Sequence, residues 1–245
     1  MQAARLGHVL IVDDEAVLAG VVASYLDRAG FDTTVTGDGL EAVDLARRLD
    51  PTVVILDLGL PGLDGVEVCR QIRTLSDCYV IMLTARTEEV DVLIGLSVGA
   101  DDYVTKPFSA RELVARVQVM LRRPRTSGSG APLPVRRFGE LEVDASAREV
   151  RVSGAPVVLT PTEFDLLATL MQSKRRVRSK ADLTLVLRGE SYVTSYLVGE
   201  ADKRAVEAHM TNLRRKLGDN PTNPRYIETV RGVGYRLTSE DLIAS

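Results

Sequence analysis

The chain has 245 residues, 45% hydrophobic and 27% charged, the balance of a soluble globular protein large enough for one big core or two ordinary ones. Its N-terminus, MQAARLGHVLIVDD, has an apolar run of only four residues before two acids; this excludes a signal peptide or spanning helix and predicts a cytoplasmic protein that meets no membrane. The net charge of −3 conceals a split: residues 1–123 hold 12 Lys and Arg against 19 Asp and Glu (net −7), and residues 124–245 hold 19 against 15 (net +4), so the second half is the one suited to a polyanion.

Five short apolar segments come first: HVLIVDD (8–14), DTTVTG (32–37), VVILDL (53–58), YVIMLTA (79–85) and DYVTKP (102–107). Their starts lie 21 to 26 residues apart, the period of a βα repeat. Between them run amphipathic stretches: AVLAGVVASYLDRAG ends on Gly30, and SARELVARVQVMLRR opens on Ser109 as cap and closes on Arg122 and Arg123, which suit the negative end of a helix dipole. Strands alternating with helices predict a doubly wound α/β unit, a five-stranded parallel sheet with helices on both faces. Two cysteines, Cys69 and Cys78, lack metal-ligand spacing and are too few for a disulfide framework, so packed, reduced thiols are expected.

In such a sheet the polar residues at the C-terminal strand ends converge. Here they are Asp13, Asp14, Asp57, Thr84 and Lys106, with Pro61, Gly62, Asp64 and Gly65 turning the chain away directly after Asp57. A lone strand-end Asp more often caps the next helix; it is the company of the other four that points to chemistry. Three carboxylates in one cleft repel one another unless a cation joins them, and hard oxygen ligands of this kind favour Mg2+. With a metal bound, Asp57 suits the role of an aspartyl-phosphate nucleophile, Thr84 that of a hydroxyl donor to a phosphoryl oxygen, and Lys106 that of a counter-charge.

On these residues the first half resembles a two-component receiver domain, with a flavodoxin-like fold. The resemblance implies that Asp57 accepts a phosphoryl group from a sensor histidine kinase. It further implies that Asp14 and Asp57 bind Mg2+ directly, Asp13 through water, and the backbone carbonyl of Gly59 as a third protein ligand. Thr84 and Tyr103 would form a switch pair, although an aromatic simply packed at a strand end explains Tyr103 equally well. The Lys106–Pro107 peptide would be cis. GADDYVTKPFSARELVARV is similar to the OmpR/PhoB subgroup, whose receivers form homodimers when phosphorylated through their fourth and fifth helices and fifth strand. Asp101, Asp102, Arg111, Glu112 and Arg116 fit that charged face, whereas Val92 and Ile94 depart from it. Val92 replaces a basic residue, removing one cross-subunit ion pair of a kind that contributes about 0–1 kcal/mol at an exposed rim.

Domain boundaries are expected at 1–123, a flexible Pro, Gly and Ser-rich linker at 124–136, and a second domain at 137–245. RRFGELEVDASAREVRVSGAPVVL alternates apolar and polar residues around turn signals at 144–146 and 153–154, the pattern of a small antiparallel sheet. LTPTEFDLLATLMQS follows with Thr160, Pro161 and Glu163 as a capping box; a second helix begins near Ser179, after the basic run QSKRRVRSK. In ADKRAVEAHMTNLRRKLG, Val206, Met210, Leu213 and Leu217 fall within roughly 60° of one another at about 100° per residue, and Arg204, Ala208, Thr211 and Arg215 gather opposite. That second face suits a helix in the DNA major groove, with Asn212 at its edge as an adenine reader and His209 on the flank.

RYIETVRGVGYRL then reads as a hairpin whose tip carries Arg231. Residues 137–238 are similar throughout to the winged helix-turn-helix effector of the OmpR/PhoB subgroup. The resemblance implies recognition by the helix at 201–217, minor-groove insertion of Arg231, and DNA sites arranged as direct or inverted repeats. The loop at 188–200 departs from the pattern; in relatives this loop can touch RNA polymerase, and the departure leaves that contact open here. The resulting expectation is a phosphorylation-dependent DNA-binding transcription regulator and not an enzyme. Two rivals remain open. One is a dimeric regulator that works without phosphorylation, suggested by Val92 and Ile94. The other is a Mg2+-dependent aspartyl-phosphate phosphatase, disfavoured because Gly59 stands where enzymes resembling the haloacid dehalogenase group carry a second Asp.

Overall fold

A computed structural model describes residues 5–84, 95–121, 135–188 and 198–239. The chain divides into two compact units, Met1–Leu121 and Arg122–Ser245.

The first unit contains β1 (His8–Val12), α1 (Ala16–Arg28), β2 (Asp32–Thr36), α2 (Gly39–Leu49), β3 (Val53–Asp57), α3 (Gly65–Leu75), β4 (Tyr79–Thr84), β5 (Asp102–Thr105) and α4 (Ala110–Leu121). The strands pair in parallel in the order β2-β1-β3-β4-β5, so the five apolar segments are five strands. Every residue of β3 and β4 is buried, as a parallel sheet covered on both faces requires. One core layer joins Val9, Ile11, Val53, Ile55, Ile81 and Leu83 to Ala19, Val22 and Leu26 of α1 and to Leu113, Val117 and Met120 of α4. Each such aliphatic side chain contributes about 1.5–3 kcal/mol when fully buried.

The chain leaves β1 for β2 on one side of the sheet and returns to β3 on the other. The crevice at the C-terminal ends of β1 and β3 is therefore the switch point where open α/β sheets bind ligands. Local chemistry shapes this rim. Asp38 caps α2 by accepting the amides of Leu40 at 2.7 Å and Glu41 at 3.0 Å, and Asp64 caps α3 through Val66 N at 3.1 Å. Gly65 is required where it stands, because a Cβ there would lie 2.3 Å from the carbonyl oxygen of Asp57. Only glycine lets α3 start directly against the strand end that carries the acid. Cys69 and Cys78 are buried and free, and burial pushes the Cys69 thiol up to about 12.

The second unit opens with a four-stranded antiparallel sheet, β6 (Arg136–Phe138), β7 (Leu141–Asp144), β8 (Glu149–Val152) and β9 (Ala155–Pro156). Next come α5 (Pro161–Ser173), β10 (Arg178–Ser179), α6 (Lys180–Arg188), α7 (Glu200–Leu217) and the hairpin β11 (Ile227–Val230) with β12 (Gly234–Leu237); β10 pairs on the outer side of β12. The capping box of α5 is formed, with Glu163 N donating to Thr160 Oγ1 at 3.3 Å and Thr160 N to Glu163 Oε2 at 2.8 Å. Ser179 and Asp182 make the same reciprocal pair at the start of α6, 3.0 and 3.2 Å apart. Gly218, at φ 67°, ends α7 in the left-handed conformation. Phe138, Leu141 and Val143 of the sheet pack with Phe164, Leu167 and Leu170 of α5, with Val206, Met210, Leu213 and Leu217 of α7, and with Tyr235 and Leu237 of the hairpin. Among the described residues no helix is long and apolar enough to cross a membrane.

Candidate functional site

Asp13 and Asp14 directly follow β1, β3 ends on Asp57, and one carboxylate oxygen from each of the three lies within 4.8 Å of the others. Asp13 and Asp57 are 2% and 6% exposed, while Asp14 faces solvent. Lys106 reaches in from the end of β5, its Nζ 2.9 Å from Asp57 Oδ2 and 3.1 Å from Asp13 Oδ2. Its position is held from the backbone, since Lys106 N donates to Thr84 O at 2.7 Å; the Lys106–Pro107 peptide is cis. Thr84, 1% exposed, closes β4 beside Asp57, whose register partner is Leu83. Gly59 N donates to Asp57 Oδ1 at 3.2 Å, which places Gly59 against the same carboxylate. Tyr103 is half-buried in β5, opposite Met82.

Sequence reading overlooked Glu15, whose Oε1 lies 3.1 Å from Lys106 Nζ and whose N–H donates to Asp13 Oδ1 at 2.9 Å. Its adjacency to Asp13 and Asp14 is the only local signal for it. Three carboxylates, those of Asp13, Glu15 and Asp57, thus surround one ammonium among the described residues. Burial, and after it the repulsion from Asp57, holds the Asp13 carboxyl above the ordinary range against the lowering pull of Glu15 N–H and Lys106. Burial alone would depress Lys106, but hydrogen bonds to Asp57 and Glu15 and the ion pair with Asp13 outweigh it and keep the ammonium above the usual lysine range. Asp13 Oδ2 is buried and, although near Lys106, has no hydrogen-bond partner. An under-satisfied acid oxygen in a cluster of hard anionic donors fits a small divalent cation.

The charged face around β5 and α4 needs one correction. Asp101 is not on it: Asp101 is 6% exposed, pairs with the half-buried Arg73, and accepts the amide of Val80 at 3.0 Å. A carboxylate this deep requires such partners, and Arg73 supplies them from α3. Asp102 and Glu112 instead share Arg116, at 2.7 and 2.9 Å, and Arg111 is exposed. Val92 and Ile94 lie outside the described residues, as do 122–134 of the linker region and 189–197 of the loop before α7.

On α7 the apolar side is the core: Val206, Met210, Leu213 and Leu217 are 0–3% exposed. Arg204, Thr211 and Arg215 are exposed on the other side, and Ala208 is half-buried between them. Thr211 Oγ1 donates to Glu207 O at 2.9 Å, back into its own helix. Asn212 does not belong to the stripe. It lies about 70° round the helix from the stripe's centre and is 6% exposed, and with it His209 at 2%, so the base-reading role expected for Asn212 has no exposed amide to perform it. Arg231 stands exposed in the 231–233 turn that joins β11 to β12. Of the basic run, Lys174, Arg175 and Arg176 are exposed, while Arg178 donates to Ser173 Oγ at 2.6 Å.

A switch-point pocket of three acids and a lysine, on a sheet ordered 2-1-3-4-5, joined in one chain to a winged helix, defines a signal-receiving module coupled to an effector module. The comparisons agree with that class. Residues 9–118 match the response regulator receiver domain, and residues 154–237 match the C-terminal domain of transcriptional regulatory proteins. The chain is 43% identical to the sensory transduction protein RegX3 of Mycolicibacterium smegmatis over 94% of its own length and 98% of the relative's. It is 42% identical to the DNA-binding response regulator MtrA of Mycobacterium tuberculosis over 94% and 96%. A solved structure of a RitR mutant shares the fold with a TM-score of 0.73 at 24% identity, covering 95% of this chain and 99% of that one. The chain belongs to the two-component response regulators of the OmpR/PhoB family.

Proposed function

We propose that this protein is a DNA-binding transcription regulator switched by phosphorylation of Asp57. The observation that carries the reading is the convergence of Asp13, Asp14, Asp57, Thr84 and Lys106 at one sheet edge. A carboxylate oxygen of Asp57 attacks the phosphorus of a sensor kinase's phosphohistidine, the P–N bond breaks, and the imidazole leaves with the bond's electron pair and takes up a proton. Asp14 and Asp57, with the Gly59 carbonyl and Asp13 through water, would hold Mg2+, which neutralises charge on the transferring phosphoryl group. Lys106, already 2.9 Å from Asp57, pairs with a phosphoryl oxygen, and the Thr84 hydroxyl donates to another. Tyr103 follows Thr84 when the latter reorients.

Phosphorylation then favours receiver homodimers. Two effector units held together bind a pair of half-sites, arranged as direct or inverted repeats, at high effective concentration. Arg204, Ala208, Thr211 and Arg215 face the major groove and Arg231 the minor groove. The partners are DNA, a sensor histidine kinase and, through the loop before α7, RNA polymerase, all met in the cytoplasm. The domain limits that suit this reading are 1–123 and 137–245, with 124–136 as linker. To test it, wild type and Asp57→Ala are treated with a small-molecule phosphodonor and titrated onto target DNA. Wild type should gain affinity and Asp57→Ala should not; equal affinity in all four samples removes the switch.

A further inference from the structure

α7 turns Arg204 and Arg215 to solvent, yet Arg214, one residue and about 100° away from Arg215, is only 8% exposed. Its Nη2 donates to Ile227 O at 2.8 Å and to Thr229 Oγ1 at 2.7 Å, both on β11. Its guanidinium carbon lies 5.6 Å from the ring centroid of Tyr235 on β12. Beside it stands Asp219, whose Oδ2 is 4.0 Å from Arg214 Nε. Asp219 in turn accepts the amides of Arg225 at 2.6 Å, Tyr226 at 3.3 Å and Ile227 at 2.9 Å, at the entrance to the hairpin. Its own N–H donates to Arg214 O at 2.9 Å, which closes the helix. One side chain and one carboxylate therefore tie the last turn of α7 to both strands of the hairpin.

We propose that Arg214 is a positioning residue for DNA recognition. It fixes the hairpin against α7, so that Arg231 at the tip and Arg204, Thr211 and Arg215 on the helix reach adjacent grooves in register. The proposal rests on the reading of that stripe and of Arg231 as DNA contacts. Three features favour a positioning role over that of a core cation alone. The tip residue Arg231 lies only two positions beyond Thr229, so the bond to Thr229 acts close to the working end. A hairpin of four paired positions is a marginal structure by itself and takes its orientation from what it is tied to. The guanidinium also reaches both acceptors through Nη2 while its carbon lies 5.6 Å from the Tyr235 ring centroid, and a lysine ammonium, a compact point charge, does not reproduce that planar group.

The test uses the full chain with Arg214→Met, which keeps the apolar stem but removes the donors, and Arg214→Lys, which keeps the charge and N–H donors but loses the planar guanidinium. Amide hydrogen exchange and DNA affinity are measured, the latter also in an Arg231→Ala background. Arg214→Met should lower protection of the Ile227–Val230 amides about tenfold and leave α5 unchanged. It should weaken DNA binding about tenfold alone but by less than about threefold on top of Arg231→Ala, with Arg214→Lys intermediate. Unchanged protection in β11, an equal loss in α5, or a full additive loss of affinity in the double variant overturns the proposal. If Arg231→Ala alone leaves affinity unchanged, the groove assignment itself fails and the proposal goes with it; if Arg231→Ala weakens binding and the double variant is additive, only the proposal fails.

Discussion

The acid pocket and the basic helix face place charge on opposite plans. In the pocket Asp13 and Asp57 are nearly closed off from solvent, and Lys106 pairs with both at 3.1 and 2.9 Å. On α7, Arg204 and Arg215 stand in solvent, and Arg215 has no ion pair among the described residues. Transfer of a phosphoryl group to one oxygen needs atoms fixed where water screens little. Recognition of a polyanion needs mobile cations at the surface, and draws on the release of counterions from the nucleic acid. Charge in the first region is thus tied to the fold, while charge in the second is nearly independent of it.

The hardest blow to that contrast would come from Lys106→Met. Removing the one ammonium leaves buried carboxylates uncompensated, and breaking a buried pair in this way costs about 3–5 kcal/mol. Chemical denaturation of the metal-free protein should show a loss of this size, partly restored by Mg2+. A loss as small as that of a surface substitution would mean that the pocket is wetter and looser than its geometry implies. Next in size is Leu213→Ala, on the inner side of α7. Leu213 is 0% exposed, and truncation should cost about 2–5 kcal/mol in denaturant, locating the stability of this helix in its apolar face.

These expectations rest on features that differ in how openly the sequence carries them. Strand ends are legible where a short apolar run is cut off by a polar residue, as at β1, β3 and β4, so Asp13, Asp57 and Thr84 stand out in the sequence, and Lys106 joins them at the end of the next repeat. The capping pair Thr160 and Glu163 is equally local. What escaped was long-range. Glu15 joins the pocket through a lysine 91 positions away, and Asp101 is buried by Arg73 from 28 positions back, a pairing that no pattern around DDYVTKP announces. Helical phase placed the core and the stripe of α7 correctly, but Asn212 and Arg214 sit on the flanks, where the neighbouring elements, and not the periodicity, decide what is covered.

Mg2+ itself offers a smaller and more selective effect. A cation that binds the folded pocket and not the unfolded chain should stabilise the first unit by about 2.7 kcal/mol at a hundredfold excess over its dissociation constant. Thermal unfolding with Mg2+ and then with a chelator would show it. Asp14→Asn should flatten the response while leaving the metal-free midpoint nearly unchanged, because Asp14 is the exposed member of the three. An identical Mg2+ response in Asp14→Asn would take that carboxylate out of the ligand set.

The smallest effect on stability, and the most telling for the comparison, is expected of Arg215→Ala. An exposed cation without a partner contributes little to the fold, so the unfolding free energy should move by no more than about 0.5 kcal/mol. DNA affinity should nevertheless fall. If Arg215 meets a phosphate, the slope of log affinity against log salt should shrink by about one, with a uniform loss across DNA sequences. If it reads a base edge, the slope should hold while discrimination at one position relaxes by about 1–3 kcal/mol. Either result keeps the two charged regions on separate plans, one buried and structural, the other exposed and devoted to binding. Loss of stability comparable to that of Leu213→Ala would instead make Arg215 part of the fold and end the distinction.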